Sequence, residues 1–194
     1  MGGRSASVVD MKFRHLARAA TAWAALTACA AGGPPRDRIL FGSPRILDQT
    51  AMQSAALLAH NEERERLGLP LLVLDAGLST DALAYANELA ATGKWEHSAV
   101  SSRPGQGENL WRGTVGRFSY EQMVAPWMAE RRFYKPGAFP DVSKTGRVGD
   151  VGHYTQAVWR DTTRMGCGIA SGLGRDVLVC RYNPPGNVNT QRPY

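Results

Sequence analysis

An α+β fold is what the sequence predicts, and three observations carry that prediction. Two segments with helical apolar spacing come first. A capped third helix follows. The carboxy-terminal part then alternates apolar and polar residues around a glycine-rich turn, as an antiparallel three-stranded meander would. The length of 194 residues suits one domain with an extra segment, and 43% hydrophobic with 21% charged residues is an ordinary globular balance.

The first helix is expected over Asp48 to Gly68. Met52, Ala55, Ala56 and Ala59 repeat at helical spacing, Glu62, Glu63, Arg64 and Arg66 form its solvated end, and Gly68 with Pro70 stops it. Leu71 to Leu74 follows as a short extended piece. The second helix is expected over Asp75 to Gly93, with an apolar stripe of Leu78, Ala82, Tyr85, Ala86 and Leu89 and with Gly93 as its cap. Residues 94–118 are dense in Gly, Pro and Ser and read as a long loop, which in a compact domain is usually functional or poorly ordered. Ser119 with Gln122 is a capping-box pattern that opens a third helix running to about Tyr134. Pro126 conflicts with it, because proline lacks the N–H donor and crowds the preceding turn, so the helix either kinks there or restarts. Residues 135–151 read as loop. The meander comprises Tyr154 to Trp159, Arg164 to Ser171 and Asp176 to Tyr182, with Gly172-Leu173-Gly174-Arg175 turning between the last two.

Residues 1–28 read as a targeting segment. A basic stretch from Met11 to Arg18 precedes the short apolar run Ala19 to Ala28, which is too brief for a permanent membrane span. Either Met1 or Met11 serves as the start. Leu26-Thr27-Ala28-Cys29 resembles the bacterial lipobox, which implies acylation of Cys29 and a membrane anchor; ordinary cleavage near Ala28-Cys29-Ala30 is the alternative. Residues 29–47, rich in Gly, Pro and Arg, form a flexible tether, and residues 48–194 form the domain. The net charge of +6 is half carried by the targeting segment, and the remaining basic residues are scattered, so no nucleic-acid partner is expected. An exported, extracellular or cell-envelope monomer is expected.

Two of the three cysteines, Cys167 and Cys180, lie in the domain, and export permits a disulfide. Hairpin symmetry about the 172–175 turn places Cys167 opposite Cys180, at a separation that a disulfide bridges. With both oxidised, a thiol nucleophile is not available, and no G-x-S-x-G motif marks a serine one.

The residues left for chemistry are His97 and Glu108 at the two ends of the long loop, Glu130 on the third helix, and His153 heading the first meander strand. His60, on the first helix, reads as structural or surface. Two imidazoles and two carboxylates suit a zinc site or an acid–base group, because imidazole binds zinc and a carboxylate orients the ring. Neither HExxH nor CxxC is present, and by spacing alone the four remain separate structural histidines and surface glutamates.

Gly152-His153-Tyr154-Thr155-Gln156-Ala157-Val158-Trp159-Arg160 and Leu178-Val179-Cys180-Arg181-Tyr182-Asn183-Pro184-Pro185-Gly186-Asn187 resemble the two signatures of the CAP superfamily. That superfamily comprises cysteine-rich secretory, antigen 5 and pathogenesis-related 1 proteins. His60-Asn61 with Arg64, His97-Ser98, Gly107-Glu108-Asn109-Leu110-Trp111, Trp127 with Glu130 and Tyr134, and Gly166-Cys167-Gly168 fit as well. The look is that of the pathogenesis-related 1-like branch and its bacterial relatives, over Asp48 to Tyr194. The resemblance implies an α-β-α sandwich whose central cleft gathers His97, Glu108, Glu130 and His153, with the two histidines able to hold zinc or another divalent ion. It implies a bonded Cys167–Cys180 pair and a carboxy-terminal segment like the plant tail that releases a peptide, here expected to be ordered and structural. Three functions compete. The first is a non-enzymatic module that binds lipid or sterol in apolar grooves. The second is a metal-dependent, protease-like hydrolase with Glu108 or Glu130 as base. The third is a cell-surface interaction protein.

Overall fold

A computed structural model describes residues 46–194. The targeting segment, Cys29 and all of the tether before residue 46 lie outside the described residues. Helix α1 (Gln49–Arg66) is capped by Asp48, whose carboxylate accepts from the Ala51 N–H at 2.9 Å. Strand β1 (Val73–Leu74) is short. Helix α2 (Ala76–Thr92) is capped by Asp75 and closed by Gly93 in the left-handed conformation, φ 72°. Helix α3 (Tyr120–Ala129) opens with the Ser119/Gln122 capping box and runs unbroken through Pro126 into a 3₁₀ turn, Glu130–Phe133.

The long loop contains strand β2 (Gly107–Thr114). Its glycines are packing residues: a Cβ on Gly107 would collide with Gln156, and one on Gly113 would collide with Trp111 and Phe118. Residues 154–159, expected as a strand, instead belong to a short helix α4 (Gly152–Ala157) and the turn after it. Every residue from Tyr154 to Trp159 is buried, so the apparent alternation carried no information about which faces are wet. Strands β3 (Arg164–Gly172) and β4 (Arg175–Asn183) form the expected hairpin, with Cys167 paired to Cys180 and joined to it by a disulfide. Strand β2 pairs antiparallel to β4 and so takes the third place in the antiparallel set. Strand β1 runs parallel to the start of β3, giving a four-stranded sheet in the order β1-β3-β4-β2.

The sheet is sandwiched between helices. Ile169, Leu178, Cys180 and Tyr182 face Met52 and Ala56 of α1 and Met123 and Trp127 of α3. Ala170, Val177 and Val179 face Ala82, Ala86 and Leu89 of α2. On that second face β3 presents Gly166, Gly168 and Gly172, where a Cβ would strike the backbone of Ser79, Leu83 and Ala90, so α2 rests directly on the strand. The expected solvated end of α1 is in fact partly interior. Arg64 is fully buried and donates to the carbonyls of Pro70, Ala157, Trp159 and Thr162 at 2.7–3.1 Å, and Glu63 accepts from Arg66, Arg131 and Tyr154. Charge alone suggested solvent at these positions, but tying α1 to the turn after α4 requires a long side chain with several donors. The carboxy-terminal segment is pinned: Arg160 N–H donates to Pro193 O at 2.7 Å, Phe139 N–H to Gln191 O at 2.8 Å, and Tyr194 stacks on Tyr134.

Candidate functional site

Each of the two expected ligand histidines is held by one of the two expected glutamates. His97 lies between α2 and β2, and its Nδ1–H donates to Glu108 Oε1 at 2.7 Å. The Glu108 side chain is fully buried, whereas that of His97 is 55% exposed. Three further donors converge on Glu108: the Ser98 N–H at 3.0 Å, the Ser98 hydroxyl at 2.9 Å and Arg181 Nη2 at 3.1 Å. Burial alone would raise this carboxyl. The His97 bond, the Arg181 charge and the two Ser98 bonds outweigh it and hold Glu108 below the usual carboxylate range.

Arg181 stands directly opposite Glu108 in the β2/β4 register. It is buried, lies over the Tyr85 ring, and has two nitrogens, Nε and Nη1, without a hydrogen-bond partner among the described residues. A cleft of about 800 Å³ opens beside this pair, bordered by Tyr85, Glu96, His97, Ser98, Gln106 and Arg181.

The second pair is supported differently. Glu130 Oε1 accepts from His153 Nδ1–H at 2.6 Å, while Oε2 accepts the backbone N–H of His153 and of Tyr154, each at 3.0 Å. These are among the first N–H groups of α4, which a helix end leaves unpaired, so Glu130 caps the helix that carries its own histidine. Trp127 stacks on the His153 ring at 5.9 Å with an interplanar angle of 17°. His153 therefore sits in the first turn of a helix rather than at the mouth of a strand, and it does not border the 800 Å³ cleft.

Strand β2 connects the two pairs. Glu108 and Asn109 are consecutive and point to opposite faces of the sheet. Asn109 Nδ2 donates to the His153 carbonyl at 3.0 Å and to the Tyr182 hydroxyl at 3.1 Å. That hydroxyl lies 2.9 Å from His60 Nε2, and His60 Nδ1–H donates to the Ala56 carbonyl at 2.7 Å, so Nε2 is the acceptor. Burial lowers the His60 pKa to about 4, which makes it a neutral, fully bonded core histidine, in agreement with the structural reading. Among the described residues, no group of three or more His, Cys, Asp or Glu side chains converges as a metal centre. Asn109 and Arg181 carry no role in the sequence reading, yet they organise the pairs. Arg181 falls on the same β4 face as Val177 and Val179, and an arginine on a buried strand face needs a carboxylate opposite it.

Residues 57–182 match the CAP family, described as the cysteine-rich secretory protein family. The chain belongs to that family. Pathogenesis-related protein 1B of Nicotiana tabacum is 37% identical over 144 residues, covering 73% of this chain and 80% of the relative. Golgi-associated plant pathogenesis-related protein 1 of Homo sapiens is 38% identical over 133 residues, covering 68% and 82%. Among solved structures, NaASP2 with Zn2+ superimposes with a TM-score of 0.65 at 22% identity, over 78% of this CAP chain and 88% of its own. BmVAL-1 does so with a TM-score of 0.61 at 23% identity, over 77% and 84%. These likenesses show that the sandwich is the CAP fold.

Proposed function

We propose that this CAP domain is an exported, non-enzymatic binding module for an apolar ligand of the lipid or sterol class. A groove of about 530 Å³ between α1 and α3 carries the reading. Ala55, Leu58, Ala59, Ala125 and Met128 supply apolar walls, and Leu58 is 60% exposed there. The volume lies in the range of small-molecule sites. Glu62 and Glu121 stand at the rim, and Arg66 is already paired with Glu63, so a neutral head group suits the groove better than a carboxylate. The secretory name of the family supports export, and an acylated Cys29 would supply the membrane anchor.

The reading includes a divalent ion, zinc first, at His97 and His153. Each ring commits its Nδ1–H to a carboxylate, which fixes the tautomer and leaves the Nε2 lone pair to bind a metal. Among neighbours of the same fold, NaASP2 is described with Zn2+. Both glutamates already have their oxygens engaged, so the protein offers two ligands where a catalytic zinc has three. A bound ion would supply Lewis-acid charge there. Glu108, buried and held as a low-pKa carboxylate by four donors, is a poor general base, and this weighs against the hydrolase reading.

Delipidated protein is expected to bind a sterol saturably, more tightly than a fatty acid, and Leu58→Asp is expected to abolish that binding. Absence of saturable binding across a sterol and fatty-acid panel would refute the ligand reading. Zinc titration by calorimetry is expected to show binding that the His97→Ala/His153→Ala double variant loses.

A further inference from the structure

One end of the molecule gathers exposed apolar side chains that neither the groove nor the histidine pairs use. Three connections meet there: the β3–β4 turn, the residues after β2 and the residues after α2. Leu173 at the turn tip is 71% exposed, and Trp95, Val115 and Phe118 are each about two-fifths exposed. Contacts hold the three connections together. Leu173 packs toward Gly93, the Val115 N–H donates to Gly174 O at 3.1 Å, and Phe118 meets Trp111 edge-on.

Cations surround these side chains. The Arg112 guanidinium lies over the Trp95 ring at 4.6 Å, and Lys94 and Arg175 border the same small hollow as Leu173. Arg117 follows Val115 and Gly116. Lys94 reaches Glu96 only at 4.0 Å, and among the described residues Arg112, Arg117 and Arg175 have no carboxylate partner. Leu47, just ahead of α1, borders a hollow lined by Val115, Gly172 and Gly174, so the chain enters the domain at this same end. At the opposite end of β3, roughly 26 Å away at about 3.3 Å per residue, Leu71, Val73 and Leu74 are also exposed. There the neighbouring Arg164 is balanced by Asp75.

We propose that the end formed by residues 93–95, 115–118 and 172–175 is a docking surface for an anionic lipid bilayer. Trp95, Phe118 and Leu173 enter the interfacial region while the arginines and Lys94 meet the phosphates of the head groups. The surface lies at the point where the tether arrives, so it sets the orientation of the domain on the membrane independently of acylation.

The test uses the full chain carrying Cys29→Ser, with sedimentation on vesicles of equimolar phosphatidylcholine and phosphatidylglycerol and on phosphatidylcholine alone. Binding is expected on the mixed vesicles in excess of the neutral ones. Arg117→Gln/Arg175→Gln is expected to lower the partition roughly fivefold per charge removed. Trp95→Ser/Leu173→Ser should also lower it, and Leu71→Ser at the far end should not. Equal binding by all variants would mean that the amino-terminal segment alone holds the vesicle, and the proposal fails. It fails equally if only the arginine substitutions matter, which is the signature of a general polyanion site, or if Leu71→Ser acts as strongly as Trp95→Ser/Leu173→Ser.

Discussion

His97–Glu108 and His153–Glu130 are the same pairing of side chains on different supports. Glu108 is fully buried and owes its charge balance to one guanidinium from the neighbouring strand. Glu130 keeps some solvent contact, at 17% exposure, and is steadied by two backbone N–H groups at the start of α4. The first arrangement depends on the identity of a side chain and the second on the placement of a helix. A single substitution therefore threatens the first far more than the second.

The largest expected effect follows directly. Arg181→Met leaves Glu108 buried with an uncompensated charge, a loss of about 3–5 kcal/mol, measurable by urea unfolding. Adding Glu108→Gln should recover part of the loss; additive effects in that double-mutant cycle would show that the two side chains are not coupled.

An intermediate effect separates both pairs from the core histidine. His60 is lowered from 6.5 to about 4, so between those values the unfolded chain binds more protons than the folded one. The stability contributed by neutral His60 is complete above pH 6.5 and is lost as pH falls toward 4, by about 3 kcal/mol at most. Thermal unfolding across this window should show the decline, and His60→Gln should flatten it. Glu108 contributes in the same direction at lower pH: its depressed carboxyl stabilises above the ordinary carboxylate range and is lost as pH falls through its folded value. The smallest effect belongs to the second pair. Glu130→Gln keeps an acceptor for the α4 N–H groups and should cost about 1 kcal/mol or less, whereas Glu130→Ala, which leaves them unpaired, should cost about 1–3 kcal/mol. Equal losses for Glu130→Gln and Arg181→Met would remove the distinction between the supports.

The sequence makes the helices legible because their ends carry local signals. Asp48, Asp75, Ser119 with Gln122, and Gly93 each do at the backbone what their residue types predict. The Cys167–Cys180 register is legible because a tight hairpin fixes its own pairing. Strand β2 and helix α4 are not. Gly107 of β2 answers to Gln156, far away in sequence, Gly113 to the packing of Trp111 and Phe118, and α4 is buried throughout from Tyr154 to Ala157. At the site, His97, Glu108, Glu130 and His153 enter through resemblance. The division into two pairs does not, because it depends on which side of β2 each group approaches. The pairs are bridged by Asn109, a residue that local pattern cannot single out.

The glycine row of β3 makes the two faces of the sandwich unequal in stiffness. Under α2, the β3 glycines let helix backbone rest on strand backbone, and the rest of that face is filled by short side chains such as Ala82, Ala86, Val177 and Val179, which have few rotamers to shift. Beneath α1 and α3 the contact runs through Met52, Met123 and Trp127, side chains whose rotamers can shift. Whatever breathing admits a guest must come from that softer side, and the groove between α1 and α3 opens on it.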